Sequence, residues 1–454
     1  MAFRSFNPAT GQLIREYDTW DETRIDQALQ LTASATPAWA TTPMNERSAL
    51  MRNAAEILKE RRVDYARIIT EEMGKLYDES LAEVNKCAWV CEYYAEKAKQ
   101  FLADELITSD ASNSFAAYQP LGTVLAVMPW NFPFWQVMRF AAPGLMAGNT
   151  GLLKHASSVP QCALALEETF RDAGFPQGIF QTLMISASQV KSVIEDPRVH
   201  AVTLTGSEPA GRQVAANAGG ALKKCVLELG GSDPFVVLGD ADLEITVPAA
   251  VVSRYANAGQ SCIAAKRFIV VEAIAEEFLQ RFSSSVQALV PGDPMQQETT
   301  LAPMVSEELR QELHQQVTDS IQAGATALTG CEPLPGPGAF YQASILDHVK
   351  PGMRAYDEEL FGPVAIVIRV KDERDALRVA NDTRFGLGGA VWTQDSQHGE
   401  TFARKLQCGC AFVNGLVKSD PRLPFGGVKA SGYGRELSLH GIREFVNTKS
   451  VWIK

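Results

Sequence analysis

Three residues far apart in the chain carry side chains that can act on a single carbonyl. Cys262 stands in Asn257-Ala258-Gly259-Gln260-Ser261-Cys262-Ile263, a small-residue approach to the apolar run Phe268 to Val271, and its thiolate is a nucleophile for an aldehyde. Glu228, in Leu227-Glu228-Leu229-Gly230-Gly231, sits at a glycine exit from an apolar run, where a carboxylate can activate water or a thiol. Asn131, in Pro129-Trp130-Asn131-Phe132-Pro133, offers an amide N–H to an oxygen that gains negative charge during attack. Together they allow one reaction. The cysteine adds to an aldehyde, an oxidised nicotinamide takes hydride from the hemithioacetal, and water activated by the glutamate hydrolyses the thioester to a carboxylic acid. Each residue also has a plain structural reading: cysteine is among the most buried residue types, Asn131 can cap a turn, and sequence separation does not bring Glu228 to Cys262.

A dinucleotide needs a seat for its phosphates. Thr205-Gly206-Ser207-Glu208-Pro209-Ala210-Gly211-Arg212 follows the apolar run Ala201 to Thr205 and precedes a helical pattern from Arg212 to Ala218. Its glycines permit close approach, Ser207 can cap the helix, and free backbone N–H groups can meet a phosphate. The run is neither G-x-G-x-x-G nor a lysine-containing Walker sequence, and Glu208 opposes an anion, so a phosphate site and an ordinary helix cap both fit.

The elements that must position these residues follow from periodicity. Extended runs at 115–119, 123–128, 150–154, 179–184 and 201–205 alternate with helical patterns at 134–146, 159–172 and 187–195. That alternation predicts a parallel sheet with helices on both faces. It restarts with extended runs at 235–238, 268–271, 364–370 and 389–392 and helices at 275–288 and 372–379, predicting a second α/β domain. Ahead of both lies a turn at Phe6 to Gly11 between short extended pieces, then a helical region from 21 to 100 broken near Thr36-Pro37 and at Gly74. The Gly/Pro-rich run 332–338 reads as a surface connection. The moderately extended segment 443–453 either closes a sheet or adds to a neighbour's edge, and assembly is the preferred expectation.

Composition bounds the partners. With 454 residues, of which 46% are hydrophobic and 21% charged, the chain has material for two or three cores. Its 53 acidic and 42 basic residues give a net charge of -11, and no basic stripe with stacking aromatics is visible, which argues against nucleic acid. The eight cysteines lack structural-zinc spacing, and the six histidines form no compact ligand pattern, so no metal site is expected. The start of the chain has no continuous apolar stretch, and the most apolar run, 121–135, is broken by prolines and an asparagine. No membrane span and a reducing, cytoplasmic setting are expected.

The ordered set Pro129-Trp130-Asn131-Phe132-Pro133, Leu227-Glu228-Leu229-Gly230-Gly231, Gly259-Gln260-Ser261-Cys262, Glu359-Leu360-Phe361-Gly362-Pro363 and Pro424-Phe425-Gly426-Gly427 resembles the aldehyde dehydrogenase superfamily over essentially the full length. The resemblance implies a Rossmann-like cofactor domain at 1–109 and 121–231. It also implies an α/β catalytic domain at 232–441, whose last residues return to the cofactor domain, and a small β oligomerisation segment at 110–120 and 442–454. It makes Cys262 the nucleophile, Glu228 the deacylation base and Asn131 an oxyanion donor beside the Cys262 backbone N–H. It places Trp130, Gly206, Ser207 and Gly211 at the cofactor, with Ser207 near the pyrophosphate and Glu359 and Phe361 near the nicotinamide ribose and ring. A homodimer or homotetramer is implied with equal weight.

Cofactor and substrate choice turn on fewer residues. By the resemblance, Lys154 contacts the adenosine ribose, and Ser157 stands where NAD-preferring members commonly carry a glutamate. A carboxylate there repels a 2′-phosphate, whereas serine donates a hydrogen bond, so NADP is the preferred cofactor, with NAD as an alternative. The segments Phe134 to Phe140 and Asn414 to Asp420 resemble bacterial succinate-semialdehyde dehydrogenases in particular, and in that reading Arg139 and Ser419 hold a distal carboxylate. Two other readings stay open: a broader NAD(P)-dependent aldehyde dehydrogenase, and a noncatalytic, metabolite-responsive interaction protein on the same scaffold.

Overall fold

In the computed structural model, which describes residues 2–454, two open sheets follow one another along the chain. The first has the strand order 432–433, 224–228, 201–205, 123–128, 150–155, 180–182, and only Gly432–Tyr433 is antiparallel. From Thr123–Met128 the chain winds outward in one direction, then returns on the other side at Ala201–Thr205. That reversal opens a crevice at the carboxyl ends of these two strands, where doubly wound sheets bind ligands. The segments leaving those ends are Pro129-Trp130-Asn131 and Gly206-Ser207.

Burial on both faces explains the uninterrupted apolar strands: every residue of Ala201–Thr205 is buried. One face is covered by Met44–Glu60, Tyr77–Phe101 and Trp135–Met146, around a core that includes Leu58, Tyr94 and Phe140. The other face closes over a smaller core with Leu29, Ile194 and Val214. The second sheet runs 326–329, 344–347, 364–370, 265–271, 233–237, 388–392, 410–413, parallel except at Thr326–Thr329. On one of its faces Phe235 stacks on Trp392 at 5.2 Å, and Phe268 meets Phe282 at 4.9 Å. The sheets are joined where Lys224–Glu228 ends and Asp233–Val237 begins, so the Glu228 glycine exit is the crossing between them.

Several expectations shift. Pro37 does not break its helix: Glu22–Thr41 continues through it, held against the sheet by the Trp39 indole on Leu145 O at 3.2 Å and by Thr36 against the Thr150 hydroxyl at 2.9 Å. The breaks fall at Pro43, at Arg61 and, as expected, at Gly74, whose φ of 84° is left-handed. Helix Glu208–Gly220 starts earlier than its apolar pattern, with Pro209 in the first turn. Glu307–Gln322 was not foreseen, because only Leu309, Leu313 and Val317 mark its inner face. Arg443 lies in helix Ser438–Glu444 rather than in an extended segment. The final strand, Val446–Ile453, pairs along its length with Asn113–Pro120, so one of its edges is used within the chain and the other is unpaired among the described residues.

Candidate active site

Cys262 is carried by backbone that no regular element supplies. Asn257, Ala258 and Gly259 all have left-handed φ values, 54°, 50° and 70°. For non-glycine residues this costs on the order of 1–3 kcal/mol each, so the surroundings must hold it. The Glu79 carboxylate accepts the Asn257 N–H at 3.0 Å, and Asn257 Nδ2 donates to Asn131 O at 2.9 Å. Buried Arg254 donates to Gly259 O at 3.0 Å, Leu360 O at 3.2 Å and Gly362 O, and a side chain at Gly259 would run into that last carbonyl. Beyond the cysteine, buried Lys266 donates to Ser261 O and Cys262 O, both at 2.9 Å, and pairs with Glu359 at 3.1 Å.

The result is a junction. Cys262 lines a cavity of about 290 Å³ together with Trp130, Asn131, Gly206, Ser207, Glu228, Glu359 and Phe361. It also lines a second cavity of about 270 Å³ with Lys86, Trp135, Arg139, Ser419 and Phe425. Asn131 is oriented by its neighbours: its Oδ1 accepts from Gln136 Nε2 at 2.9 Å and its Nδ2 donates to Gln260 O at 3.0 Å. One amide hydrogen is left for the cavity, and the Cys262 N–H makes no hydrogen bond among the described residues. Two free donors therefore belong to residues that line the same cavity as the sulfur.

Burial pushes the Cys262 thiol up to about 12, against the pull of Arg139 and Lys266. The thiol is held as S–H until a base or substrate changes its surroundings. Glu228 is buried, and neither of its carboxylate oxygens has a hydrogen-bond partner among the described residues. Its carboxyl is pushed well above the usual range, first by burial and then by the charge of Glu436, with Arg139 and Arg435 opposing. Glu436 is buried and raised in the same way, and Arg139 Nε faces its Oε2 at 2.6 Å. Two buried carboxyls thus share one guanidinium, an arrangement that favours a proton on the pair.

On the cofactor side, three helices begin near the crevice, and their N-termini differ. The N–H groups of Phe134 and Trp135, where Trp135–Met146 begins, point to Glu83 Oε1 at 2.9 and 3.0 Å. The start of Pro160–Asp172 gives the Gln161 and Cys162 N–H groups to Glu72, at 3.0 and 2.9 Å. Among the described residues Glu208–Gly220 receives no such carboxylate, and the Ser207 side chain makes no capping bond. That end retains its positive dipole for an anion. Glu208, which the sequence set against a phosphate, is taken up by Arg212 at 2.8 Å and by Arg384. Gly211 serves packing, since a Cβ there would collide with Leu229. Lys154 and Ser157 lie outside the main cavity, at and just beyond the end of the neighbouring strand. Burial depresses the Lys154 ammonium, and Ser157 is exposed. Phe361 meets Trp130 edge-on at 5.8 Å.

On the other side, Ser419 Oγ receives Trp135 Nε1 at 2.8 Å and Lys86 Nζ at 3.0 Å, while Arg139 packs over Phe425 at 4.7 Å. Sequence reasoning missed Lys86, Gln136, Arg254, Asn257, Lys266 and Glu436 as contributors. A usable signal existed for Lys266: with Arg267 it interrupts an otherwise apolar strand, where a charge must have dedicated partners. Among the described residues no helix is long and apolar enough to cross a membrane, and no cluster of three His, Cys, Asp or Glu residues is placed to hold a metal ion.

Comparison with known proteins gives a consistent result. The model of the aldehyde dehydrogenase family matches residues 1–451. The chain is 51% identical over 453 residues to a probable succinate-semialdehyde dehydrogenase [NADP(+)] of Synechocystis sp., covering 100% of both chains. It is 47% identical to the succinate semialdehyde dehydrogenase [NAD(P)+] Sad of Escherichia coli, covering 99% of this chain and 97% of that one. Among solved structures, the succinic semialdehyde dehydrogenase of Streptococcus pyogenes in complex with NADP+ superposes with a TM-score of 0.98 at 38% identity, with 100% of each chain covered.

Proposed function

The chain belongs to the aldehyde dehydrogenase family, and from that premise we infer that it oxidises succinate semialdehyde to succinate with NADP as the preferred cofactor. The observation that carries the reading is the position of Cys262 where two cavities meet, one with a free helix N-terminus and the other lined with cations. The E. coli relative, whose name gives both cofactors, supports NAD as a second one.

NADP, when bound, supplies the hydride acceptor at its nicotinamide ring. The residues present fit it: the uncapped start of Glu208–Gly220 suits the pyrophosphate, Glu359 is held by Lys266 for the ribose, and Lys154 with Ser157, outside the main cavity, suits a 2′-phosphate. Cys262 Sγ bonds to the aldehyde carbon as the thiol passes its proton to solvent water. The carbonyl π pair moves to oxygen, which Asn131 Nδ2 and the Cys262 N–H hold. Once the carbon has lost its hydride it is a thioester on Cys262. Glu228 then takes a proton from water as the water oxygen bonds to that carbon, and cleavage of the C–S bond releases succinate and returns the sulfur. Arg139 and Ser419 line the cavity where the substrate's distal carboxylate would lie.

The chain is read as a cofactor domain built on the first sheet, a catalytic domain on the second, and an assembly segment formed by Asn113–Pro120 and Val446–Ile453. The open edge of that last strand suits a homodimer or homotetramer. Eight unpaired cysteines suit a cytoplasmic setting. A steady-state panel tests the function. Succinate semialdehyde with NADP is expected to give the highest kcat/KM against its one-carbon-longer analogue, uncharged aldehydes and NAD. Equal turnover of uncharged aldehydes would leave only the broader dehydrogenase.

A further inference from the structure

Four cations line the substrate-side cavity, Lys75, Lys86, Arg139 and Lys418. Two are already matched inside the protein, Lys75 by buried Glu83 and Arg139 by buried Glu436. A matched pair contributes hydrogen-bond donors to a ligand but little net charge. Lys86 is different. It projects from helix Tyr77–Phe101, its ammonium sits 4.2 Å over the Trp135 ring, and no carboxylate lies within ion-pair distance of it among the described residues. Lys418 is exposed, and among the described residues no hydrogen bond or ion pair holds its ammonium in the wall.

The contacts of Lys86 also decide how Ser419 works. Ser419 Oγ accepts from Lys86 Nζ at 3.0 Å and from Trp135 Nε1 at 2.8 Å. A hydroxyl has two lone pairs and one hydrogen, so with both lone pairs engaged the remaining O–H can only donate. The Lys86 ammonium keeps two further N–H groups. An anion in this cavity therefore meets, side by side, a hydroxyl constrained to donate and an ammonium with no carboxylate at ion-pair distance among the described residues.

We propose that Lys86 is a specificity-determining residue of this tunnel, binding the distal carboxylate of the substrate together with the Ser419 hydroxyl. Arg139, its charge met by Glu436, acts chiefly on the acid pair at the chemical centre. The proposal rests on the semialdehyde reading above. Burial, and secondarily Arg139, depresses the Lys86 ammonium to about 8, against Cys87, Glu83 and Asp420. An anionic ligand would restore what burial removes.

The test compares succinate semialdehyde with butanal, which has the same carbon count and no carboxylate, in the wild type, Lys86→Met and Lys86→Arg. In Lys86→Met the ratio of kcat/KM for the two substrates is expected to fall roughly 10- to 100-fold, the range for one lost charge-assisted hydrogen bond, with KM for the semialdehyde carrying the change. Lys86→Arg should recover most of the ratio. Butanal turnover by the same preparations reports folding and a competent Cys262. A wild-type ratio in Lys86→Met, or a parallel loss on both substrates, overturns the assignment to Lys86 while leaving the semialdehyde reading intact. A wild type that does not favour the semialdehyde overturns that reading and takes this proposal with it.

Discussion

The two cavities that meet at Cys262 are walled by different materials. On the cofactor side the chain presents strand ends and turns, Gly206, Ser207, Leu229 and Gly230, with the carboxylates of Glu228, Glu312 and Glu359 and no cationic side chain in the lining. On the substrate side, side chains dominate: Lys75 comes from the turn before a long helix, Glu79, Glu83 and Lys86 from that helix, Arg139 from the helix after Asn131 and Lys418 from a late loop. A ligand common to many reactions is suited to recognition by backbone, which any sequence of the right fold provides. A particular aldehyde is recognised by charge placed on elements that can vary independently. The reacting sulfur belongs to both sides, and its loop is clamped by Arg254 and Lys266 rather than by either ligand.

The most forceful way to break this division is at Glu228, which lines only the cofactor-side cavity. If its work is hydrolysis, Glu228→Gln should lower the steady-state rate by about 10²- to 10⁴-fold, the usual contribution of a general base. The first turnover should survive. Rapid mixing would then show a burst of reduced nicotinamide approaching one equivalent per active site, followed by near arrest. Loss of the burst as well would mean that Glu228 also removes the thiol proton and serves both halves of the reaction.

A smaller effect is expected at the far end of the same side. Ser157→Glu sets a carboxylate near Lys154, where it would repel a 2′-phosphate and accept from a free ribose hydroxyl. The NADP-to-NAD ratio of kcat/KM should fall roughly 10- to 100-fold, with the semialdehyde KM at saturating cofactor little altered. An unchanged ratio would show that selectivity is set inside the main cavity, and the exposed position of Ser157 would then be incidental.

This asymmetry also explains what could be read without coordinates. Strands Thr123–Met128, Ala201–Thr205 and Val364–Val370 were legible to the residue, because burial on both faces leaves a mostly apolar run, interrupted only by Thr203 and Arg369. Cys262 and Glu228 stand out as candidates because glycines and small residues flank them, whereas Asn131, in Pro129-Trp130-Asn131-Phe132-Pro133, reads locally as a turn cap as well as a donor. Lys86 was not legible, since a lysine beside Cys87 on a helix looks like a solvated face until Trp135 and Ser419 close over it. Glu436 escaped for the same reason: nothing local tells an acid after Arg435 that it will be buried against Arg139 from a helix almost three hundred residues earlier. The sharing of Ser419 by two donors is likewise a tertiary fact.

Glu436 offers the finest test, because it couples the two sides without lining either cavity. Its charge raises the Glu228 carboxyl, while Arg139, which lines the substrate side, lowers it together with Arg435; Glu444 adds a weaker upward push. Glu436→Gln removes one like charge and frees the Arg139 guanidinium to face Glu228. Both changes favour the carboxylate, so the Glu228 value must fall. A general base works only when deprotonated, and the acid limb of the kcat profile for hydrolysis should therefore move to lower pH, by about one unit. Near neutral pH the rate itself should change only a few-fold, because the lower basicity of Glu228 offsets its larger ionised fraction. A limb that stays in place would mean that Glu436 is already neutral in the working enzyme and that Arg139 alone joins the substrate wall to the base.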